Sequence, residues 1–309
     1  MVATEKQALI GELRAAHEDV GLYDASAWGQ FLASGPDAAG FLHRMLSNEV
    51  QKLRAGEGRY QGLLDRKGMV LSLFYLRRLS EQEFLGVTPP QLTEKTIGLL
   101  TKMKFIEKVA IRDVSKERGL LFLIGPKAED LKTVFSQESC LVWPEDTFGV
   151  PWMNVSGPRN VIDEGIASLT GKTVLLSDAA LRLIRMAAGF PEYGVDIDER
   201  HILLETPVPV AHQRNKGCYP GQEVVERISA YGKGRTPKRL LGFTLPGERA
   251  LAKGTEILTK DGVKVGTVTS SLFNPRDGVT LGMAYVETKY ADQALADIGQ
   301  CQFLAPTAL

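Results

Sequence analysis

The spacing of apolar residues changes along the chain and predicts a succession of helices and strands. Helical spacing predicts one helix over residues 3–18 and a second after Gly35-Pro36, with Asp37 near its start. The period then shortens to two, which is typical of strands, and turn residues separate the runs. The predicted strands are residues 59–64, 69–77 and 83–87.

The middle of the chain mixes the two periods. The pattern predicts helices over residues 92–103, 128–135, 161–169 and 178–188, and strands over 109–113, 120–124 and a segment that ends near 155. Hairpins and helices in mixed order favour an α+β fold with antiparallel sheets over a doubly wound parallel fold.

After residue 239 the helical pattern almost disappears. The runs RLLGFTL, GTEILT, VKVGTVTSS and VTLGMAYVE are separated by Gly, Pro and Asp-Gly turns, and only YADQALAD again has helical spacing. A small antiparallel β-barrel or sandwich is predicted here. The glycine-rich, cationic stretch YGKGRTPK is the predicted linker to it.

Composition and charge exclude several classes of protein. The chain of 309 residues is 44% hydrophobic and 24% charged, as globular proteins are, and its 37 cations balance its 37 acids. Neutral charge gives no overall attraction to nucleic acid or anionic membranes, and no apolar run reaches the roughly 20 residues of a membrane span. Three widely spaced cysteines argue against a disulfide framework, so a reducing, cytoplasmic setting is predicted.

Common catalytic and metal motifs are missing from the sequence. SLTGKTVLL contains GKT, the last three residues of a phosphate-binding loop, but Ile166 occupies the position of the required first glycine. There is no C-x-x-C, H-E-x-x-H or G-x-S-x-G, and the four histidines are scattered. No metal site is predicted.

One stretch combines a thiol with the ingredients of reactivity: RNKGCYPGQEVVERI, residues 214–228. Pro220-Gly221 interrupts the chain and a short helix is predicted to follow, so Cys218 lies just before a helix N-terminus. The positive helix dipole and the neighbouring Arg214 and Lys216 favour a thiolate. The alternative is a small buried cysteine that packs under a turn.

The octapeptide K-G-C-Y-P-G-Q-E, residues 216–223, with Arg227 after it, resembles the signature of the YgfZ family. These are folate-binding proteins related to the glycine cleavage T-protein, an aminomethyltransferase. LYDASAWGQFLASGPDAAGFLHRMLSNEV, RMAAGFPEYGVDI and GTVTSS resemble other segments of the family, so the resemblance extends over nearly the whole chain.

Three differences separate this chain from the methyltransferase branch. The T-protein has a related stretch, approximately K-x-D-F-I-G-x-E, that lacks the cysteine. Its pterin-contacting glutamate corresponds to Ala187 here, and its catalytic aspartate has no counterpart in VTPPQLTEK, where Glu94 is the nearest acid. The resemblance therefore argues against a true aminomethyltransferase.

The resemblance implies a ring of two α+β lobes with antiparallel sheets and a C-terminal small antiparallel β-barrel. The two lobes would occupy residues 1–235, with the second inserted at roughly 50–135, and the barrel residues 236–309. Tetrahydrofolate is the implied cofactor. The implied partners are iron–sulfur client proteins, among them tRNA-modifying enzymes.

The resemblance also implies the site residues. Cys218 is the functional thiol, and the folate-binding set is Trp28, Lys216, Gly217, Tyr219, Gly221, Gln222, Glu223 and Arg227. Physical arguments leave alternatives open for several of them. Trp28 either stacks on a pterin or fills a core, and Tyr219 either lines a pocket or packs inside. Gln222 and Glu223 bind ligand or cap the helix, and Arg227 contacts ligand or pairs with Glu223.

Three functions follow as hypotheses. The first is a tetrahydrofolate-binding accessory protein that supports assembly or repair of iron–sulfur clusters through Cys218. The second is a folate-dependent aminomethyltransferase or another one-carbon transfer enzyme. The third is a tRNA-binding protein, for which the cations Lys233, Arg235, Lys238 and Arg239 form a weak patch in a neutral chain.

Overall fold

The structure, a computed structural model, describes residues 3–145, 147–206, 208, 211–230, 235–259, 261–291 and 302–303. The α-helices are α1 (Ala3–Glu18), α2 (Ala38–Met45), α3 (Thr93–Met103), α4 (Arg159–Leu169), α5 (Asp178–Ala187), α6 (Gln222–Ala230) and α7 (Thr288–Ala291). Three 3₁₀ helices cover Pro90–Leu92, Ala128–Phe135 and Leu203–Glu205. None of the described helices is both long and apolar enough to pass through a lipid bilayer.

The strands form three five-stranded sheets. They are β1 (Gly21–Asp24), β2 (Gly29–Ser34), β3 (Gly58–Leu64), β4 (Val70–Arg78), β5 (Glu83–Thr88), β6 (Ala110–Asp113), β7 (Arg118–Ile124), β8 (Leu141–Glu145), β9 (Trp152–Pro158), β10 (Val174–Leu175), β11 (Lys238–Pro246), β12 (Glu256–Leu258), β13 (Lys264–Asn274), β14 (Val279–Glu287) and β15 (Gln302–Phe303).

The chain divides into two compact units. One unit consists of Ala27–Lys116 and Glu192–Thr236 and contains the sheet β3-β4-β5-β2-β6. All of its strand pairs are antiparallel. Its core lies between this sheet and the helices α2 and α3, where Phe31, Phe41 and Phe74 are fully buried.

The other unit consists of Met1–Ser26, Glu117–Pro191 and Pro237–Leu309. Its first sheet, β10-β1-β7-β9-β8, is antiparallel except for the β1–β10 pair. The second sheet, β12-β13-β14-β11-β15, is antiparallel throughout and encloses a core around Phe243. The predicted α+β class with antiparallel sheets is therefore confirmed, whereas the predicted bounds 1–235, 50–135 and 236–309 stay predictions.

Most predicted elements are present, with a few differences. The segment 128–135 is a 3₁₀ helix, and the strands β1 and β2 were not predicted from their short, glycine-interrupted apolar runs. Asp37 precedes α2 but does not cap it, because its carboxylate accepts a hydrogen bond from the Lys108 backbone N–H instead. Most of YADQALAD and part of the linker, residues 231–234, lie outside the described residues.

Two sheets, one in each unit, place a phenylalanine directly opposite a glycine on the neighbouring strand. Phe31 faces Gly86, and Phe243 faces Gly282. A Cβ atom at either glycine would lie 2.2 Å from the phenylalanine ring, so the ring occupies the space that a side chain would need. Because Phe31 and Phe243 are fully buried, each glycine is required by core packing.

We expect Gly86→Ala to lower the free energy of unfolding by about 1–3 kcal/mol, because the new methyl group must displace the Phe31 ring. Gly98→Ala is the control, since Gly98 lies inside α3 and a Cβ atom there would have no heavy atom of another side chain or strand within 4 Å. It should raise stability by up to about 1 kcal/mol. Urea unfolding measures both, and a Gly86→Ala variant as stable as the wild type would contradict the packing argument.

Candidate functional site

The loop before α6 has an unusual backbone around the cysteine. Asn215, Gly217 and Gly221 have φ angles of 59°, 114° and 79°, and Asn215 is the one non-glycine residue with positive φ among the described positions. Such values favour glycine or asparagine. The loop therefore turns sharply on both sides of Cys218, whose side chain is exposed to solvent.

Gly221 fits against a tight turn that follows β3. A Cβ atom at this position would lie 2.4 Å from the Asp65 carbonyl oxygen and 2.9 Å from the Gly68 Cα atom. The turn is itself fixed, because the Asp65 carboxylate accepts hydrogen bonds from the backbone N–H groups of Lys67 (2.8 Å) and Met69 (2.9 Å). The close backbone contact explains the second glycine of the octapeptide.

Lys216 anchors the loop to α2 through two reciprocal hydrogen bonds. Its Nζ donates to the carbonyl oxygen of His43, and Nε2 of His43 donates to the carbonyl oxygen of Lys216 at 2.8 Å. Both residues are buried, with Lys216 only 8% exposed. We call this arrangement the Lys216–His43 pair.

A carboxylate completes the arrangement on the other side of the imidazole. Oε1 of Glu49 lies 3.2 Å from Nδ1 of His43, and the Lys52 backbone N–H donates to the same oxygen at 3.1 Å. Glu49 is buried as well. His43 and Glu49 were not among the predicted site residues, since the histidines looked scattered in the sequence; the run HRMLSNEV is the only local signal.

Burial lowers the pKa of Lys216 to about 8, although the negative charge of Glu49 acts in the opposite direction. The ammonium group lies 5.0 Å from the centre of the Tyr219 ring, a cation–π distance. Slightly above neutral pH this amine therefore exchanges its proton readily. It stands two residues from the exposed thiol of Cys218.

Tyr219 is buried, at 6% exposure, and its hydroxyl has no hydrogen-bond partner among the described residues. Burial first, and then the charge of Glu226, raise the pKa of this hydroxyl. His212, whose own pKa is lowered by burial, has its ring 6.4 Å from the Tyr219 ring and its Nε2 3.3 Å from Oε1 of Glu226. A buried tyrosine hydroxyl usually finds a partner, and none of the described residues supplies one here.

The other predicted residues occupy different environments. Gln222 caps the loop, because its side chain accepts a hydrogen bond from the Tyr219 backbone N–H at 3.2 Å. Glu223 and Arg227 are exposed on α6, and in the described part of the chain no ion pair joins them. Trp28 is half-buried at the bend before β2, in the same unit as the loop.

The other residues singled out from the sequence belong to elements other than the Cys218 loop. Glu94 is exposed in the first turn of α3, and Ala187 is exposed at the end of α5. Of the basic patch, Lys233 lies outside the described residues, and Nζ of Lys238 lies 4.6 Å from the centre of the Tyr285 ring. Within the described part of the chain, no three His, Cys, Asp or Glu residues are grouped so that they could hold a metal ion.

Comparison with known proteins agrees with this architecture. Residues 3–150 match the GCVT N-terminal domain, and residues 238–300 match the glycine cleavage T-protein C-terminal barrel domain. The crystal structure of glycine cleavage system aminomethyltransferase T from Bartonella henselae superposes with a TM-score of 0.81 at 21% identity. The superposition covers 91% of this chain and 82% of the Bartonella henselae chain. The chain has a T-protein-like fold.

Sequence relatives span most of the T-protein-like chain. An aminomethyltransferase of Caldanaerobacter subterraneus subsp. tengcongensis is 26% identical and covers 92% of this chain and 82% of its own length. An aminomethyltransferase of Thermus thermophilus is 28% identical, and the match covers 91% of this chain and 83% of the relative. The predicted two lobes and small C-terminal barrel are thus confirmed, whereas membership of the narrower YgfZ family stays a proposal.

We expect Lys216 to make a contribution to the free energy of unfolding that increases as the pH rises from about 8 to 10.5. The folded chain releases the Lys216 proton near pH 8, whereas the unfolded chain holds it up to the ordinary value of 10.5. Between these values the unfolded state binds more protons, so the free energy of unfolding increases with pH. Lys216→Met should lose about 1–3 kcal/mol of this increase.

Denaturant unfolding at a series of pH values measures the effect. Lys102→Met is the control, since Lys102 is exposed on α3, and this variant should follow the wild-type profile. Parallel profiles for wild type and Lys216→Met would contradict the assignment of Lys216 as a buried amine.

Proposed function

We propose that this T-protein-like chain binds tetrahydrofolate and uses the Cys218 thiol to support iron–sulfur clusters in client enzymes. Relatives named aminomethyltransferases match more than nine-tenths of the chain. This similarity supports the part of the proposal that concerns folate. The thiol half is supported by one observation above all: Cys218 is exposed on a loop that buried contacts hold in place.

The residues present fit a folate. The buried Tyr219 hydroxyl has no hydrogen-bond partner among the described residues, so it keeps a donor that no protein group uses. Trp28, half-buried in the same unit, is the residue that the YgfZ resemblance implies for stacking on a pterin. Bound tetrahydrofolate supplies a carrier for a one-carbon unit, and these side chains would bind and orient it.

The loop around Cys218 can serve a client protein in a defined way. Gly217 and Gly221 allow the backbone turns that leave the thiol exposed. The Lys216–His43 pair holds the loop against α2. A stable cluster of the chain's own normally needs about four ligands, mostly cysteines. One exposed thiol instead suits transient contact with a client cluster. Such clients include tRNA-modifying enzymes, as the YgfZ resemblance implies.

Aminomethyl transfer is the second candidate. The matched relatives named above are aminomethyltransferases, so the comparisons support this function more directly than the iron–sulfur function. Against it stand the side chains at the two compared positions: Ala187 has no carboxylate, and Glu94 points to solvent from the first turn of α3.

We place the protein in the cytoplasm, where the two described cysteines, both free, would stay reduced.

Calorimetric titration of tetrahydrofolate into the reduced protein tests the cofactor. We expect binding that weakens about tenfold or more in Trp28→Ala, because stacking of a base on an aromatic ring contributes about 1–3 kcal/mol. Phe105→Ala is the control, since this exposed ring belongs to the same unit but was not predicted to bind folate. Absence of binding in the wild type would rule out the folate half of the proposal.

Replacement of the thiol tests the working group. We expect Cys218→Ala to fold and bind tetrahydrofolate as the wild type does, yet to abolish support of a cluster-containing enzyme in cells that lack the native protein. Cys140→Ala, which removes a partly buried thiol of the other unit, should keep full support.

Two outcomes would redirect the assignment. Full support by Cys218→Ala would remove the thiol from the function. Turnover of an aminomethyl donor to methylenetetrahydrofolate by the wild type would establish the second candidate, and its persistence in Cys218→Ala would show that the thiol takes no part in it.

A further inference from the structure

Two apolar side chains project into solvent between α3 and β6. Phe105 is 93% exposed and Ile106 is 81% exposed, more than any other large apolar residue of the described chain. Single exposed apolar residues are common, but an adjacent, almost fully solvated pair that includes an aromatic ring is characteristic of contact surfaces.

The connection that carries this pair is held by internal hydrogen bonds. Oε2 of Glu107 accepts from the backbone N–H groups of Phe105 (2.9 Å) and Ile106 (3.2 Å), while Oε1 accepts from Arg44 at 2.7 Å. The backbone amides of Phe105, Glu107 itself and Ile106, together with the Arg44 guanidinium, lower the pKa of Glu107 to about 2, so the carboxylate stays ionised. Lys104 closes the connection by donating to the Val109 carbonyl oxygen at 2.9 Å.

The exposed pair leads into an open sheet edge. The strand β6 lies at the end of the sheet β3-β4-β5-β2-β6 and pairs with β2 alone among the described strands. Three of its four residues are exposed. The open side of an edge strand offers backbone donors and acceptors that an extended peptide can satisfy and lipid cannot.

Charge around this edge favours an acidic partner. Residues 102–113 contain four cations, Lys102, Lys104, Lys108 and Arg112, against the two acids Glu107 and Asp113. Glu107 also pairs with the cation Arg44, whereas Asp113 accepts hydrogen bonds from Ser115 and keeps its charge, so the cations outnumber the acids. The outward charge of the segment is therefore positive.

We propose that Phe105, Ile106 and the open side of β6, together termed the tip–edge surface, bind an extended acidic segment of a partner protein. The segment adds a strand to β6 and places an apolar side chain against Phe105 and Ile106, while its carboxylates face Lys102 and Lys108. This surface is separate from the Cys218 loop in sequence, and it provides the contact that an accessory protein needs with a client.

The chain contains a matched control. The strand β10 is also an edge strand, and its Val174 and Leu175 are 41% and 63% exposed. It has two residues and no ordered apolar connection beside it of the kind that Glu107 builds. An effect of surface hydrophobicity or of an open edge in general would appear at both places.

Site-specific photo-crosslinking in cells tests the proposal. The photoreactive residue p-benzoylphenylalanine is placed at position 105 in one version of the full chain and at position 175 in another. We expect a discrete adduct with a second protein at position 105 alone, through a peptide of that protein that is rich in Asp or Glu. Adding Lys102→Glu and Lys108→Glu should reduce the adduct at least fivefold.

Binding of the identified partner, purified, then gives the affinity. We expect Phe105→Ser/Ile106→Ser to weaken it at least tenfold and Val174→Ser/Leu175→Ser to leave it unchanged, with the same thermal unfolding temperature in both variants. The assay measures contact and not thiol chemistry, so it stands or falls independently of the role of Cys218.

Several results would overturn the proposal. They are the absence of an adduct, equal adducts at positions 105 and 175, or an adduct insensitive to charge reversal. An adduct with a second copy of this chain would make the surface a self-association interface instead. Sedimentation with vesicles of phosphatidylglycerol and phosphatidylcholine that is lost in Phe105→Ser/Ile106→Ser would make it a membrane contact.

Discussion

The site depends on two hydrogen bonds that run in opposite directions between Lys216 and His43. Each residue donates from its side chain to the other's backbone carbonyl, so neither bond can form unless the loop and α2 are in register. A buried lysine is unfavourable unless its donors are satisfied. Here the carbonyl of His43, the Tyr219 ring and the nearby Glu49 offset part of that cost.

The course of the loop after Lys216 depends on the Lys216–His43 pair. With Lys216 turned inward, Gly217 reverses the chain and Cys218 points outward, after which Tyr219 returns to the interior. Gly221 then allows the backbone to contact the turn at Asp65 before α6 begins. From Lys216 to Tyr219 the order is buried, exposed, exposed, buried, so a proton-exchanging amine stands two residues before an exposed thiol. The fold that carries this loop resembles proteins named aminomethyltransferases.

The sequence predicted the residues of this loop better than the distant residues that hold it in place. The octapeptide identified Cys218, and strand periods such as that of residues 59–64 located the sheets, because both signals are local. His43 was missed because its partner lies 173 residues away, and such contacts leave no periodic pattern. The strands β1 and β2 were missed for another reason: they are short, and their stability comes from antiparallel neighbours, β7 for the first and β5 for the second.

Cysteine alkylation followed by peptide mass mapping tests the account most directly, because the central claim is that buried contacts present an exposed thiol. Brief iodoacetamide treatment of the native protein should label Cys218 and largely spare Cys140, which is partly buried beside Gly157. His43→Asn, which removes one bond of the Lys216–His43 pair, should change the rate at Cys218 and leave Cys140 unaffected. Equal protection of the two thiols in the native wild type would contradict the account.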